Sequence, residues 1–359
     1  MKKIVVSGVN IVSGGMLSVF KDCLREMLHF SENVTIIALV HDIELFSDIS
    51  DVRLSYLEFP KAKCSWLLRC YYEYIFFNGL SKKINPDVWL SIHDTTPHVT
   101  AGSQFVYCHT SSPFYRMRVS EILDDWKFTL FVLFYRWLYR INILSNRYVI
   151  VQQDWMRRGF EELYGLSNII VARPEAMKCA ITSKHPVKKG YLLYPVTSHT
   201  YKNIEILAEA AKFLTHATPL QIICTIDGTE DKYSKRIVEK YGNIPVLQFI
   251  GRQTRERIFE LYSECEALLF PSRLESWGMP LSEFMETGKP IIVSDLPYAH
   301  EVLDGYKKVK FVDPLDAMAW KRAIYELLVG KLSYDCLPRW EPPAPYAKNW
   351  QELFSLLKI

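Results

Sequence analysis

Residues 270–290 read FPSRLESWGMPLSEFMETGKP, and this stretch decides how the rest of the chain is understood. It sets Glu275 and Glu283 around Gly278 and Pro280, after the apolar run Ala267 to Phe270 and before the apolar run Ile291 to Ser294. That punctuation predicts a short buried strand, a loop and a helix. Pro280 serves as the first helical residue, Gly288 as the stop, and Pro290 blocks continuation. Glu283 then falls in the first helical turn and Glu275 in the loop ahead of it. A helix start offers unpaired backbone N–H groups and the positive end of a dipole, so Trp277, Gly278, Met279, Pro280 and Leu281 suit an anion or a polar ligand. The two carboxylates accept hydrogen bonds from hydroxyl groups, and the combination suits a sugar joined to a phosphate. For the acids alone a plainer reading stands beside this one. A first-turn carboxylate stabilises a helix by about 0.3–1 kcal/mol with no ligand at all.

Around this stretch the composition sets bounds. At 359 residues with a 49% hydrophobic fraction, the chain holds enough apolar material for two compact cores. A formal net charge of +3 gives no reason to expect nucleic acid. The eight cysteines form no C-x-x-C pair, which fits reduced, packed thiols of a cytoplasmic protein. The opening MKKIVVSGVNIV is broken by Ser7, Gly8 and Asn10 and reads as a first strand. The apolar segment from Trp126 to Leu144 contains Lys127, Arg136 and Arg140, so it falls short of the roughly 20 apolar residues of a membrane span. Together with WLLRCYYEYIFF at 66–77, flanked by Lys63 and Lys82, it forms an aromatic and basic pattern that fits a membrane interface as well as it fits buried core helices.

Along the chain, strand-like runs at 4–6, 34–40, 88–92, 104–108 and 148–151 alternate with helical patterns such as 17–28, which implies a doubly wound parallel sheet. A polar segment at 184–190, interrupted by Pro186, reads as a linker between a first domain at 1–183 and a second at 191–340. The second domain repeats the alternation, with strands at 191–194, 220–226, 246–250 and 267–270 and a helix capped by Thr254. A Pro-rich turn then leads to an amphipathic tail helix within 341–359.

Several further residues are candidates for chemistry. Gly14 and Gly15 follow the first strand and open the next helix, where a doubly wound domain presents backbone N–H groups, although G-x-G-x-x-G is not matched. Lys202 precedes a helix in YPVTSHTYKN, and by itself is a solvated loop cation. His109 ends a strand in FVYCHTSSPFYR, a place that suits a structural hydrogen-bonding histidine. His93, Asp94 and His98 do not have the spacing of a helical ligand pair, and no D-x-D triplet occurs, so no metal site is expected.

As a whole, the 270–290 string resembles the Glu-x7-Glu signature of the retaining glycosyltransferases of family 4, the glycosyltransferase group 1 proteins of GT-B fold. Their text runs close to PS-x-x-E-x-x-G-x-x-x-x-E-A-x-A-x-G-x-P, and Phe284 stands where that pattern has its first Ala. The resemblance extends over about 191–314, with FVDP at 311–314, and is diffuse before that. It implies an α/β chain of two facing doubly wound Rossmann-like domains with an interdomain cleft, the tail helix packing back on the first. It also implies sugar transfer from a nucleotide-diphosphate donor with retention and without a metal or other cofactor. By this likeness Glu275 binds sugar hydroxyls and Glu283 the nucleotide ribose, Lys202 neutralises the diphosphate, His109 lies beside the donor sugar, and Gly14 and Gly15 face acceptor and phosphates. The family arginine a few residues before the lysine is missing, since Val196 and Thr197 stand there. Arg252 and Arg273 are the candidates to replace it. The implied acceptor is a saccharide of the kind carried on undecaprenyl diphosphate in O-antigen or capsule synthesis, met on the inner face of the membrane. Two other readings stay open here, a nucleotide-sugar epimerase of similar shape and a non-catalytic nucleotide-sugar-binding partner subunit.

Overall fold

The computed structural model describes residues 1–115, 117, 126–173, 186–214, 219–335 and 337–359. The chain divides into two compact units, Met1–Glu175 with Pro342–Ile359, and Ala176–Glu341. The expected domain boundary at 183 and 184 and two of the cysteines, at 179 and 336, lie outside the described residues.

The first unit is built on an eight-stranded sheet. Its strands are β1 (Lys2–Ser7), β2 (Val34–Val40), β3 (Leu54–Glu58), β4 (Val88–Ser91), β5 (Ser103–Cys108), β6 (Tyr148–Val151), β7 (Ile169–Ala172) and β14 (Tyr346–Ala347). Their order in space is β14-β7-β6-β5-β4-β1-β2-β3, every pair parallel. Near-continuous apolar strands such as VWLS at 88–91 belong in a parallel sheet covered on both faces. The helix Gly14–Phe30 lays Phe20, Cys23, Leu24 and Met27 on one of those faces. Gly8 is required there because a side chain on it would run into the Phe20 ring at 2.3 Å. The chain returns at its end, where the helix Trp350–Leu357 places Leu353, Phe354 and Leu357 in the same core, with Phe354 5.6 Å from Phe30. Because β1 neighbours both β2 and β4, the sequence order reverses between β1 and β4. That is the topological switch point.

In the second unit the strands are β8 (Tyr191–Tyr194), β9 (Gln221–Cys224), β10 (Leu247–Phe249), β11 (Ala267–Phe270), β12 (Ile291–Ser294) and β13 (Val309–Val312). They lie in the order β10-β9-β8-β11-β12-β13, again all parallel. The switch point falls between β8 and β11. The 220–226 run gives only the four-residue β9, since Thr225 leaves the ladder: its hydroxyl accepts from the Val196 N–H at 2.7 Å and donates to the Val196 carbonyl at 2.9 Å.

One expectation at the decisive stretch needs correction. The helix spans Met279–Met285, beginning before Pro280, and its first turn contains no acidic residue. Glu283 therefore stands beyond the first turn, where dipole stabilisation has largely decayed. The plain helix-dipole account of that carboxylate does not apply.

Candidate functional site

β8 and β11 run side by side in the second unit, with Leu193 paired to Leu268, so the loops that follow them emerge together at the carboxyl ends of the strands. Backbone and side-chain hydrogen bonds then fasten the two loops. The Tyr194 hydroxyl donates to the Lys202 carbonyl at 2.6 Å, and Asn203 Nδ2 donates to the carbonyls of Pro271 and Pro314 at 3.1 and 2.8 Å. Asn203 has φ of +59°, which asparagine tolerates better than most residues. From the other loop, the Arg273 backbone N–H donates to the Tyr201 carbonyl at 2.7 Å and its guanidinium to the Thr200 carbonyl at 3.3 Å. The consequence is a fixed pair: Lys202 Nζ donates to Glu275 Oε1 at 2.6 Å. The ammonium also lies 5.4 Å from the centre of the Tyr201 ring.

Glu283 is held from a neighbouring helix, Arg255–Glu264. Arg255 donates to its Oε1 at 2.8 Å and the Tyr262 hydroxyl to its Oε2 at 3.2 Å. Burial raises the pKa of this carboxyl, and the partial compensation comes from Arg255 and the Tyr262 hydrogen bond. The holding helix is itself fastened at both ends. Thr254 accepts from the Arg257 N–H at 3.2 Å, and Lys289 Nζ donates to the carbonyls of Tyr262, Ser263 and Cys265 at 2.9, 2.6 and 2.8 Å. Those carbonyls are the unpaired ones of a helix C-terminus, and a cation satisfies them best. Gly278, with φ of +85°, turns the chain into the helix that carries Glu283, and Trp277 donates from Nε1 to Ser282 Oγ at 3.3 Å. Met279, Pro280 and Leu281 form the first helical residues, with Leu281 buried. Arg252 stands exposed after β10. Arg255 and Tyr262, not singled out as site residues from sequence, are the partners of Glu283. Their only sequence signal was the helix itself.

In the first unit, Gly14 (φ +74°) and Gly15 open the helix after β1 in exposed backbone. His109 directly follows β5 with both ring nitrogens engaged. Nε2 donates to the Ile92 carbonyl at 3.1 Å, and Nδ1 accepts from Gln152 Nε2 at 3.2 Å. Burial lowers its pKa, so the ring is held neutral. Asp94 accepts from the N–H groups of His109 and Thr110 and from the hydroxyls of Thr110 and Tyr139. Next to it is a cluster that sequence reasoning did not assemble. Buried Arg69 pairs with buried Glu73 at 2.7 Å and donates to the His93 carbonyl at 2.8 Å, while His93 Nε2 meets the Ser7 hydroxyl at 3.0 Å. Ser7 ends β1 and His93 follows β4, so this contact bridges the switch point of the first sheet. Among the described residues no group of three or more His, Cys, Asp or Glu side chains is arranged to hold a metal.

Residues 181–336 match the family model of the glycosyl transferases group 1. This chain carries a glycosyl transferases group 1 domain. The domain takes in Lys202, Arg273, Glu275, Arg255, Tyr262 and Glu283, that is, the whole constellation at the β8 and β11 strand ends. Among curated proteins the chain is similar to the O-antigen chain mannosyltransferase RfbU of Salmonella typhimurium, 26% identical over 197 residues, or 54% of each chain. It spans about half or less of the length of the curated relatives it matches. Among solved structures it resembles sucrose-phosphate synthase from Thermosynechococcus elongatus, with a TM-score of 0.64 and 14% identity over 92% of this chain and 90% of that one. It also resembles Anabaena HepE in complex with UDP-glucose, with a TM-score of 0.62 and 14% identity over 90% of this chain and 89% of that one. These likenesses show the fold: two parallel-sheet α/β domains of the GT-B kind.

Proposed function

We propose that this chain is a retaining hexosyltransferase that moves a sugar, mannose by analogy with its O-antigen relatives, from a nucleotide-diphosphate donor to a hydroxyl of a lipid-linked saccharide in cell-surface polysaccharide synthesis. The observation that carries the reading is the Lys202–Glu275 pair, closed at 2.6 Å at a topological switch point, with Glu283 held beyond it on the next helix. Open α/β sheets bind ligands at such a place.

The chemical task is to stabilise a departing nucleoside diphosphate beside a sugar with oxocarbenium character. In this reading the Lys202 ammonium exchanges Glu275 for a phosphate oxygen, and Glu275, so released, accepts from sugar hydroxyls. Arg273, fastened to the Thr200 carbonyl beside Lys202, adds the second positive charge. Arg252, exposed after β10, is the weaker candidate. Glu283 accepts from the ribose hydroxyls. One preorganised group of this kind is worth about 10²- to 10³-fold in rate. The acceptor attacks from the face the phosphate leaves, and the phosphate takes the acceptor proton, so no side chain has to serve as base. His109, neutral and doubly hydrogen-bonded, then acts by orienting the strand ends and not by proton transfer.

Thermal-shift titration with UDP, GDP and dTDP tests the reading. One of the three is expected to stabilise the chain by about 2.7 kcal/mol at 100 times its dissociation constant. In Lys202→Ala that stabilisation is expected to shrink. Absence of an effect from all three diphosphates overturns the proposal.

A further inference from the structure

The helix Ala317–Leu328 of the second unit buries Trp320, Ala323, Ile324 and Leu327 against β13 and the helix Ile204–Lys212, and turns a different row of residues outward. Leu315 (55% exposed), Met318 (48%), Arg322, Tyr325 (51%) and Val329 (44%) follow one another at spacings of three, four, three and four. This is the 3.5-residue repeat by which one helix seats on another, and four of its five members are apolar. Single apolar residues are ordinary on a surface, whereas a row of them in helical register is a docking face.

The charges along this element say what covers it. From 313 to 331 the acids are Asp313, Asp316 and Glu326 and the bases Lys321, Arg322 and Lys331, so the face is neutral overall and has no attraction for a polyanion or a polycation. Asp313 is turned back to the Leu315 N–H at 2.8 Å, and Lys321 lies half-buried on the flank. The other four alternate in sign along the helix. Asp316 caps its start, accepting from the Met318 and Ala319 N–H groups, Arg322 and Glu326 stand one turn apart in its middle, and Lys331 is exposed just past its end. Neither Arg322 nor Glu326 forms an ion pair among the described residues, and arginine ahead of glutamate is the poorer order for a pair within one helix. Such an alternation is its own complement when a second copy of the helix runs the opposite way. With a two-fold axis level with Ile324, Arg322 comes opposite Glu326 of the partner subunit and Lys331 opposite Asp316 of the partner subunit, and each pair occurs twice. Tyr325, beside the axis, meets Tyr325 of the partner subunit, and tyrosine is a residue that interface centres favour. A parallel pairing would instead set Arg322 against its own copy, which like charge disfavours. We propose that the outward side of the helix Ala317–Leu328 is a self-association surface, on which a second copy of this chain docks antiparallel through Tyr325 and reciprocal Arg322–Glu326 pairs.

The inference stands apart from the transferase reading, and its test needs no nucleotide. Sedimentation velocity of the full chain, over concentrations from about 1 to about 100 μM, is expected to pass from monomer to dimer. Tyr325→Ser weakens the dimer about tenfold or more. Arg322→Glu alone and Glu326→Arg alone each weaken it about tenfold or more, because each sets like charges face to face, whereas the two together restore it to within a few-fold of wild type. Because these side chains lie on the outward side, thermal melting of the dilute variants stays close to the wild-type value, which separates lost association from lost folding. Three outcomes overturn the proposal: a monomer at every concentration, single variants that associate like wild type, or a double charge exchange that associates no better than either single one.

Discussion

At the switch point of the second unit the charged side chains remain in reach of solvent, with Lys202 and Glu275 exposed by 14% and 12%. At that of the first unit they are shut in, with Arg69 and Glu73 at 7% and 1%. Both sheets are parallel, and both carry an ion pair close to the carboxyl ends of the central strands. The difference lies in what each pair can exchange for. A pair at the edge of water gives up its partner to a ligand at little cost, because both charges keep part of their hydration. A pair taken fully out of water persists only while both members are present. The comparison assigns ligand exchange to Lys202–Glu275 and scaffolding to Arg69–Glu73, and substitutions separate the two roles.

The largest effect is expected in the first unit. Arg69→Met leaves Glu73 as an uncompensated buried acid and should cost about 3–5 kcal/mol in urea unfolding, whereas Arg69→Met with Glu73→Leu should recover most of that loss. A single substitution costing less than about 1 kcal/mol would show that water reaches the pair and would dissolve the contrast. Next comes Glu275→Ala. It is expected to lower the rate of sugar transfer about 10²- to 10³-fold while nucleotide affinity, read by thermal shift, stays within a few-fold of wild type and the urea midpoint barely moves. If the midpoint fell as far as in Arg69→Met, the pair in the second unit would be scaffold as well.

What the sequence revealed follows the same division. Glu275, Gly278, Pro280, Glu283 and Gly288 lie in one string with fixed spacing, so their chemistry and their strand–loop–helix setting were read together. The strands Tyr191–Tyr194, Ala267–Phe270 and Ile291–Ser294 came out at their observed bounds, because a buried parallel strand is an unbroken apolar run. By contrast Arg69, Glu73, His93 and Ser7 meet through the sheet order β1-β4 and a helix packed over it, and no local pattern joins them. Arg255 and Tyr262 escaped notice for a related reason: on sequence they are ordinary members of an amphipathic helix, and only packing directs them at Glu283. β3 was missed because LSYLE at 54–58 is an edge strand, half exposed and without a clean apolar run.

The histidines of the first unit give a comparison by pH. Burial lowers the pKa of both His93 and His109. For a histidine held neutral, the unfolded chain takes up the proton first, so stability is fully present above the ordinary value of about 6.5 and is lost as the pH falls below it. Each contributes a slope of up to about 1.4 kcal/mol per pH unit. Glu283 carries the opposite sign: its raised pKa stabilises the protonated form, so its contribution is present at low pH and lost as the pH rises through the folded value. Urea midpoints between pH 5 and 7 should therefore fall with acidification, and His109→Gln should remove about half of the slope. An unchanged slope in that variant would mean that His109 binds its proton equally well in the folded and the unfolded chain, contrary to its burial and to its acceptor bond from Gln152.

The smallest expected effect tests how far the second unit depends on the fastening of its helices. Thr254 caps the helix Arg255–Glu264 through the Arg257 N–H, and Arg255 is the first residue of that helix. Thr254→Ala should cost about 1 kcal/mol in stability. Fraying of that end frees Arg255 from Glu283, and Glu283 then loses the cation that offsets its burial, so its pKa rises further. Nucleotide affinity should fall a few-fold, and by more as the pH is lowered, because the carboxyl without its cation holds a proton more readily. Lys289→Met acts on the other end, where three carbonyls lose their donor, and should loosen Tyr262 instead. If Thr254→Ala lowered stability but left affinity unchanged at every pH, Glu283 would be positioned by Tyr262 and its own helix alone, and Arg255 would be a surface cation.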